Sequence, residues 1–268
     1  MPHMLILGLG YTAARLAGRL RAQGWQVTGV RRTAGPEALA FDDEPAVRAA
    51  IANTTHILSS VPPDGEGDPV LARYGVAIAA APALWTGYLS STGVYGDADG
   101  AWVDEASPVG EGRRTTRAEA DLAWGALRPD MRRFRLPGIY GPSRSALDRV
   151  REGKAHRIDL PGQVFSRVHV DDIVTGVVAS FDGPPGVYNL ADDLPASQNA
   201  VTQAACALLH LPLPPLLTLE EAKLSPMARA FYTENRRVAN GRAKRLLGWK
   251  PRYPTYHEGL AGCFSQEA

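Results

Sequence analysis

Residues 4–33 have the sequence MLILGLGYTAARLAGRLRAQGWQVTGVRRT, and this stretch decides the fold. A short apolar run at residues 5–7 predicts a buried strand, and a glycine-rich turn follows it directly. Leucines four residues apart within residues 14–22 predict a helix, and residues 25–30 predict a second strand. Strand, glycine turn, helix and parallel strand within about 30 residues form a βαβ unit, the element from which doubly wound α/β sheets are built.

The turn has the spacing Gly-x-Gly-x-x-Ala, formed by Gly8, Gly10 and Ala13. Gly8 permits a tight turn, Gly10 lets a pyrophosphate approach the backbone, and Ala13 lets the helix pack closely on the strand. The amides of Tyr11, Thr12 and Ala13 lie in the first helical turn, where the helix dipole favours an anion. We therefore predict that these five residues bind a dinucleotide. A tight turn without a ligand is the alternative.

Two arginines follow the second strand, at the position that selects between the nicotinamide dinucleotides. A site for NAD normally has a carboxylate there, which accepts a hydrogen bond from the ribose 2′-hydroxyl. Here Arg31 and Arg32 stand about 20 residues after the glycines, and a guanidinium can bind a 2′-phosphate through two parallel hydrogen bonds. NADP(H) is therefore the preferred cofactor and NAD(H) the second choice. Two solvated surface charges are the alternative interpretation.

Strands and helices continue to alternate after this unit. Apolar runs at residues 55–61 and 85–91 predict strands, and helical spacing at residues 44–53 and 70–80 predicts helices. Residues 36–42 are expected to be a short connection. This alternation predicts an α/β fold with a Rossmann-like, doubly wound parallel sheet.

The carboxyl ends of parallel strands meet at one edge of such a sheet, and ligands bind at that edge. The strand predicted at residues 55–61 ends in Ser59, Ser60 and Val61. We therefore expect these three residues to contact the cofactor.

Composition and charge exclude several classes of function. The chain has 268 residues, of which 45% are hydrophobic, and a formal net charge of +1. No global field would therefore recruit nucleic acid or an anionic membrane. No apolar run reaches the roughly 18 residues that a membrane helix needs, and the first residues lack the pattern of a signal peptide. We expect a cytoplasmic protein that binds neither nucleic acid nor membranes.

The spacing of cysteines and histidines predicts no metal site. Cys206 and Cys263 lie far apart, without a Cys-x-x-Cys arrangement, and are expected to be free thiols in a reducing compartment. The six histidines are scattered and form no His-x-x-x-His pair, so we expect no bound metal.

Five stretches downstream of the glycine turn carry a family resemblance. They are SSTGVYGD at residues 90–97, RLPGIYGP at 135–142, VHVDDI at 168–173, VYNLADD at 187–193 and LLGWKP at 246–251. In this order they resemble the motifs of extended short-chain dehydrogenases/reductases, specifically the NAD(P)-dependent epimerase/dehydratase family. The resemblance covers nearly the whole chain. It implies a Rossmann-like N-terminal domain and a smaller C-terminal lobe that closes over the substrate.

The resemblance also assigns Pro137, Gly138 and Tyr140 to a loop that packs against the nicotinamide. Beyond this loop the strand–helix alternation weakens, so the domain boundary is soft. We expect a dinucleotide-binding domain at residues 1–145. Residues 146–268 are expected partly to return to the sheet and partly to form the substrate-binding lobe.

The usual catalytic pair of the family is absent. Members usually carry Tyr-x-x-x-Lys on the helix after the serine-containing strand, where the lysine lowers the pKa of the tyrosine for acid–base work. This sequence has no Tyr-x-x-x-Lys, and Arg113 and Arg117 keep its spacing. Arg117 can supply positive charge and hydrogen bonds to a ribose, but an arginine does not donate a proton at neutral pH. The chain is therefore an atypical member of the family that it resembles.

Hydroxyl groups after the strand at residues 85–91 are the candidates for acid–base work. By the family match, Ser91 or Thr92 occupies the position that hydrogen-bonds a substrate oxygen. Tyr95 follows closely and is the candidate proton donor. The alternative for Tyr95 is a core aromatic whose hydroxyl is bound to backbone.

Two functions from different classes compete. The first is an NADP(H)-dependent oxidoreductase that acts on a small or sugar-like carbonyl or hydroxyl substrate. The second is a non-enzymatic NADP(H)-binding redox sensor or regulatory protein, which the missing Tyr-x-x-x-Lys favours. A methyltransferase using S-adenosylmethionine is disfavoured by Arg31 and Arg32. The expected partner is a small-molecule substrate, and assembly into a homodimer is left open.

Overall fold

The computed structural model describes residues 1–110 and 115–267. The strands in this part of the chain are β1 (His3–Leu7), β2 (Gln26–Arg31), β3 (Ala38–Ala40), β4 (His56–Ser59), β5 (Trp85–Ser91), β6 (Trp102–Val103), β7 (Met131–Leu136), β8 (Gly138–Tyr140), β9 (Arg157–Ile158), β10 (Arg167–His169), β11 (Gly186–Asn189), β12 (Leu216–Leu217) and β13 (Arg237–Val238). The helices are α1 (Tyr11–Ala22), α2 (Glu44–Ala52), α3 (Pro69–Ala79), α4 (Thr115–Leu127), α5 (Ala146–Arg151), α6 (Val170–Ala179), α7 (Gln198–Leu209), α8 (Pro226–Arg229), α9 (Gly241–Leu247) and α10 (Tyr256–Glu267).

One parallel sheet of seven strands organises the molecule, in the order β11-β7-β5-β4-β1-β2-β3. The chain runs from β1 through β2 to β3 and then continues at β4, on the other side of β1. Loops diverge at such a switch point and leave a crevice for ligands. Leu7 of β1 pairs with Val30 of β2 and with Ser59 of β4, so the three strands end together. The predicted Rossmann-like, doubly wound sheet is confirmed.

Side chains of β1 alternate between two hydrophobic cores. Met4 and Ile6 pack into one core together with side chains of α1 and α6. Leu5 and Leu7 pack into the other core together with side chains of α2, α3 and α4. All four are fully buried because helices cover both faces of the parallel sheet.

The elements predicted within residues 4–91 agree with the structure, except that one strand there was missed. The strand predicted at residues 85–91 is β5, and the helix predicted at residues 70–80 is α3 with Asp68 as its N-cap. Residues 36–42 were expected to be a connection but contain β3, in which Ala38 pairs with Gly29 of β2. This edge strand has only three residues and no β-branched side chain, so its pairing with β2 rather than its own sequence produces it.

Three strands from the C-terminal part of the chain pair with strands that precede them in the sequence. β10 pairs with β8, β13 pairs with β6, and β11 joins the central sheet beside β7. A separate core holds α5, α7 and α10 together around Leu147, Val201 and Leu260. No helix in residues 1–110 and 115–267 combines the length and the apolar character needed to cross a membrane.

Candidate active site

Gly8 forms the turn between β1 and α1 in a conformation that favours glycine, with a φ of +93°. A Cβ at this position would lie 2.8 Å from Cγ2 of Val61 and 3.1 Å from Oγ of Ser60. The amides of Gly8 and Leu9 donate to the carbonyl of Val30 at 3.0 and 3.1 Å. The turn is therefore closed by the ends of β2 and β4, and a side chain at Gly8 would disrupt it.

The first turn of α1 is open to an anion. Gly10 is the N-cap without a side-chain cap, and the space around its absent Cβ is empty to 4 Å. The amides of Tyr11, Thr12 and Ala13 have no acceptor among the described residues, and this turn holds no acidic side chain. Amides at the positive end of a helix dipole bind phosphate groups. The predicted residues therefore fit the diphosphate of a dinucleotide.

Arg31 and Arg32 lie at the end of β2, close to the glycine turn. The Nε of Arg31 donates to the carbonyl of Leu9 at 3.0 Å, which ties this arginine to the turn. Both arginines are exposed, and neither has a carboxylate partner within the described residues. Their remaining N–H groups are available to a 2′-phosphate. The preference for NADP(H) over NAD(H) stays a prediction.

The three residues predicted at the end of β4 differ in their surroundings. The hydroxyl of Ser60 donates to the carbonyl of Gly8 at 2.5 Å, and Val61 packs against the same glycine. Ser59 is fully buried, and its Oγ has no hydrogen-bond partner among the described residues. Ser60 and Val61 thus lie beside the turn, whereas the side chain of Ser59 is enclosed and does not reach a ligand at the sheet edge.

Two tyrosines of the predicted cofactor site, Tyr11 and Tyr140, contact other secondary-structure elements. The hydroxyl of Tyr11 donates to the carbonyl of Pro142 at 2.9 Å and so joins α1 to the chain after β8. Tyr140 is buried, its hydroxyl has no partner in the described part of the chain, and burial raises its pKa above the ordinary value. Its ring lies edge-on to His169, with the centroids 5.3 Å apart. The side chain of Tyr140 therefore packs against His169 of β10 and Gly259 of α10 rather than on an open cofactor surface.

A cavity of about 480 Å³ lies at the carboxyl ends of β5 and β7. Ser91 and Thr92 line it, together with Pro137 and Gly138. The hydroxyl oxygen of Ser91 accepts from the amide of Gly93 at 3.1 Å, which leaves its proton free to donate. The hydroxyl of Thr92 makes one long contact of 3.5 Å with a backbone carbonyl of β7. A cavity of this volume has the size of a small-molecule site.

The remaining wall of the cavity comes from segments that no sequence motif marked. Aromatic and basic side chains are prominent in it, namely Phe165, Phe231, Tyr232, Arg149, Arg167 and Arg236. They lie far apart along the chain, and only the folding of the second half onto the sheet edge brings them together.

Tyr95 does not lie on the cavity wall. It is buried, its hydroxyl donates to Oδ1 of Asn189 at 2.7 Å, and Nη1 of Arg135 donates to the same hydroxyl at 3.1 Å. Burial raises the pKa of Tyr95 above its ordinary value. The placement favours the core-aromatic alternative over a proton donor, although side chains rather than backbone hold the hydroxyl.

A buried ion network beneath Ser91 was missed from the sequence. The carboxylate of Asp121 in α4 is fully buried and lies 2.8 Å from nitrogens of both Arg133 and Arg135. The hydroxyl of Ser90 donates to this carboxylate at 2.6 Å. Arginines at alternate positions of a strand share one face, and this was the available sequence signal. The network joins α4, β5 and β7.

Arg117 lies on α4, one turn before Asp121. It is half-buried and has no hydrogen bond or ion pair with another described residue. Burial raises the pKa of Tyr88 in β5, and the charge of Arg117 opposes part of that rise, so the guanidinium lies near the sheet. Arg113, the other arginine at the spacing of the missing pair, lies outside the described residues.

Comparisons with known proteins add a sequence relationship. No protein-family model matches the chain. A 3-diazoavenalumate denitrifying reductase from Streptomyces sp. is 32% identical over 254 residues, which cover 88% of this chain and 77% of the relative. A solved structure of a functionally unknown conserved protein from Silicibacter pomeroyi is 42% identical, with a TM-score of 0.90 over 100% of this chain and 99% of that one.

A more distant solved structure supports the fold. The human epimerase family protein SDR39U1, solved with NADPH, has a TM-score of 0.80 and is 18% identical. The match covers 98% of this chain and 99% of that one. The whole chain, including the segments after the central strands, therefore follows one shared architecture.

Proposed function

This chain belongs to the NAD(P)-dependent epimerase/dehydratase family of extended short-chain dehydrogenases/reductases, and from that premise we propose that it is an NADP(H)-dependent oxidoreductase. Its substrate is a small or sugar-like molecule with a carbonyl or hydroxyl group. One observation carries the proposal: the free hydroxyl proton of Ser91 lies at a small-molecule cavity on the same sheet edge as the open glycine turn.

The residues that would hold the cofactor occupy separate parts of this edge. The first-turn amides of α1, beginning at Tyr11, would bind the diphosphate, and Arg31 and Arg32 would bind the 2′-phosphate. Pro137 and Gly138 would contact the nicotinamide. A bound nicotinamide dinucleotide supplies or accepts a hydride.

The cavity residues would polarise the substrate. Ser91 would donate its hydroxyl proton in a hydrogen bond to the substrate oxygen, because this hydroxyl accepts from the amide of Gly93 and donates to no described residue. Thr92 would add a second, weaker contact. Since Tyr95 lies away from the cavity, we assign the proton in a carbonyl reduction to solvent water.

A second candidate reaction follows from the missing Tyr-x-x-x-Lys. The relative from Streptomyces is named a denitrifying reductase of a diazo compound. A diazonium carbon that accepts a hydride forms a C–H bond while the C–N bond breaks and N₂ leaves with the bonding pair. Such a reduction places no negative charge on a substrate oxygen, so it needs no tuned proton donor. This chemistry suits a chain that has no Tyr-x-x-x-Lys.

Replacing Ser91 by alanine is expected to lower kcat/KM about tenfold, the value of one hydrogen bond to the reacting group. Oxidation of NADPH, followed at 340 nm with a panel of aldehydes and ketones, measures this effect. With aryl diazonium salts, whose reduction places no charge on a substrate oxygen, no such loss is expected. Ser265→Ala is the matched control, because Ser265 is exposed on α10 and its hydroxyl donates to the carbonyl of Ala261. Unchanged turnover in Ser91→Ala would remove Ser91 from the mechanism. NADPH binding without oxidation on any substrate would favour the non-enzymatic alternative.

A further inference from the structure

The cavity that Ser91 lines has an aromatic section. Phe165, Phe231 and Tyr232 line it, and the rings of Phe165 and Tyr232 meet edge to face with centroids 5.5 Å apart. Aromatic walls in this arrangement favour another ring or a flat apolar group through stacking and edge contacts. The walls of this section therefore suit a planar apolar group of a ligand, such as an aromatic ring.

Basic side chains line the same cavity, and they differ in how their charge is compensated. Arg236 is paired with the carboxylate of Glu234 at 2.9 Å. Arg149 is exposed to solvent and donates to the carbonyl of Lys154 at 3.0 Å. Neither arginine brings an uncompensated buried charge to the cavity.

Arg167 in β10 has a buried guanidinium. It is 8% exposed, and no carboxylate of the described residues forms an ion pair with it. Its Nη1 donates to the carbonyls of Phe165 and Ala196 at 2.8 and 2.9 Å, and its Nη2 donates to Gln198 at 3.2 Å. These bonds use three of the five N–H groups and fix the plane of the guanidinium. Two N–H groups remain for a ligand.

The surroundings of Arg167 leave its charge only partly balanced. Asp192 is the acidic group that acts on it most strongly, and burial raises the pKa of that carboxyl to about 7, against the opposing charge of Arg167. At neutral pH the Asp192 carboxyl is therefore a weaker counter-charge than an ordinary aspartate. A buried arginine without a full counter-charge is costly, and an anionic ligand removes that cost.

We propose that this cavity binds an aromatic or similarly planar carboxylic acid, with its ring against Phe165 and Tyr232 and its carboxylate on the free N–H groups of Arg167. The inference rests on the proposed function only for the reacting end of the substrate, which lies at Ser91. A carboxylate monoanion matches the single positive charge of Arg167, since Arg236 in the same wall is already paired with Glu234 and Arg149 is open to solvent.

Calorimetric titration of the full-length protein tests the charge preference directly. The probes are 3-phenylpropanoate, its neutral amide 3-phenylpropanamide, the aliphatic acid hexanoate and 2-phenylethyl phosphate. We expect 3-phenylpropanoate to bind at least about tenfold more tightly than its amide and also more tightly than hexanoate. Equal affinity for the acid and the amide, or tighter binding of the phosphate, would overturn the assignment.

Substitutions then assign the preference to one residue. In Arg167→Gln the preference for acid over amide is expected to fall to about one, and in Arg167→Lys to an intermediate value, because lysine lacks the planar fork. Arg132→Gln is the matched control, since Arg132 is also buried, donates to two carbonyls and lies away from the cavity. Retention of the full preference in Arg167→Gln would contradict the proposal. If Arg167→Gln does not fold, the proposal is still tested by Arg167→Lys and by the affinities of the unaltered protein for the acid and the amide.

Titration of NADP⁺ into the same samples separates this inference from the proposed function. Arg167 is not part of the predicted cofactor site, so NADP⁺ affinity should not change in folded Arg167 variants. Carboxylate binding without NADP⁺ binding would refute the proposed function and leave the carboxylate site intact. NADP⁺ binding without a preference for the acid would refute the carboxylate site alone.

Discussion

Replacing Asp121 by alanine is expected to lower the free energy of unfolding by about 3–5 kcal/mol, the largest effect on stability that we predict. The buried carboxylate lies 2.8 Å from guanidinium nitrogens of Arg133 and Arg135. Without it, Arg135, whose side chain is 4% exposed, would keep its charge where water barely reaches. Arg133 is 18% exposed and can turn toward solvent. Most of the loss therefore comes from the uncompensated charge of Arg135.

Urea denaturation followed by circular dichroism measures the loss. Asp130→Ala is the matched control, because Asp130 pairs with Arg128 nearer the surface, and it should cost less than about 1 kcal/mol. Adding Arg135→Met to Asp121→Ala should recover part of the stability, since the double variant removes the buried charge. A double variant that is less stable than Asp121→Ala would contradict this explanation.

Replacing both Arg31 and Arg32 by alanine is expected to weaken NADPH binding about 100-fold while changing NADH binding less than about threefold. Charge-assisted hydrogen bonds from a guanidinium to a phosphate contribute about 1.5–3 kcal/mol each, and NADH lacks the 2′-phosphate that receives them. Arg31 also donates to the carbonyl of Leu9, so the single variant Arg32→Ala separates phosphate binding from support of the turn.

Fluorescence titration with NADPH and NADH at fixed ionic strength gives both dissociation constants. Arg19→Ala is the control, because Arg19 is exposed in the last turn of α1, and its loss removes one charge far from the glycine turn. Equal weakening of NADPH binding and NADH binding would show that the arginines support the turn and do not bind the 2′-phosphate.

Local signals in the sequence were sufficient for the fold and for the glycine turn. The alternation of strands and helices predicted the doubly wound sheet, because each element carries its own periodicity. The positive φ of Gly8 and the open amides after Gly10 follow from a spacing within six residues. The three-residue β3 had no such signal, because pairing with β2 produces it.

The substrate side of the site depends on contacts that no local pattern specifies. Tyr95 follows the strand end closely, yet its hydroxyl is held by Asn189, which is 94 residues away in the sequence. Asp121 looked like an ordinary helix residue until the structure placed it against two arginines of β7. Arg167 reaches the cavity because β10 pairs with β8. Such groupings arise from tertiary packing, so a single sequence does not contain them as a motif.

Thermal unfolding of the unaltered protein with excess NADP⁺, with excess NAD⁺ and with neither tests the central claim most directly. NADP⁺ at roughly 100 times its dissociation constant should add about 2.7 kcal/mol to the stability of the folded state. For a chain of this size the midpoint should then rise by several degrees, and NAD⁺ at the same concentration should raise it less. A rise with NAD⁺ alone would contradict the role of Arg31 and Arg32. No rise with either dinucleotide would contradict the account of this chain as an NADP(H)-dependent oxidoreductase.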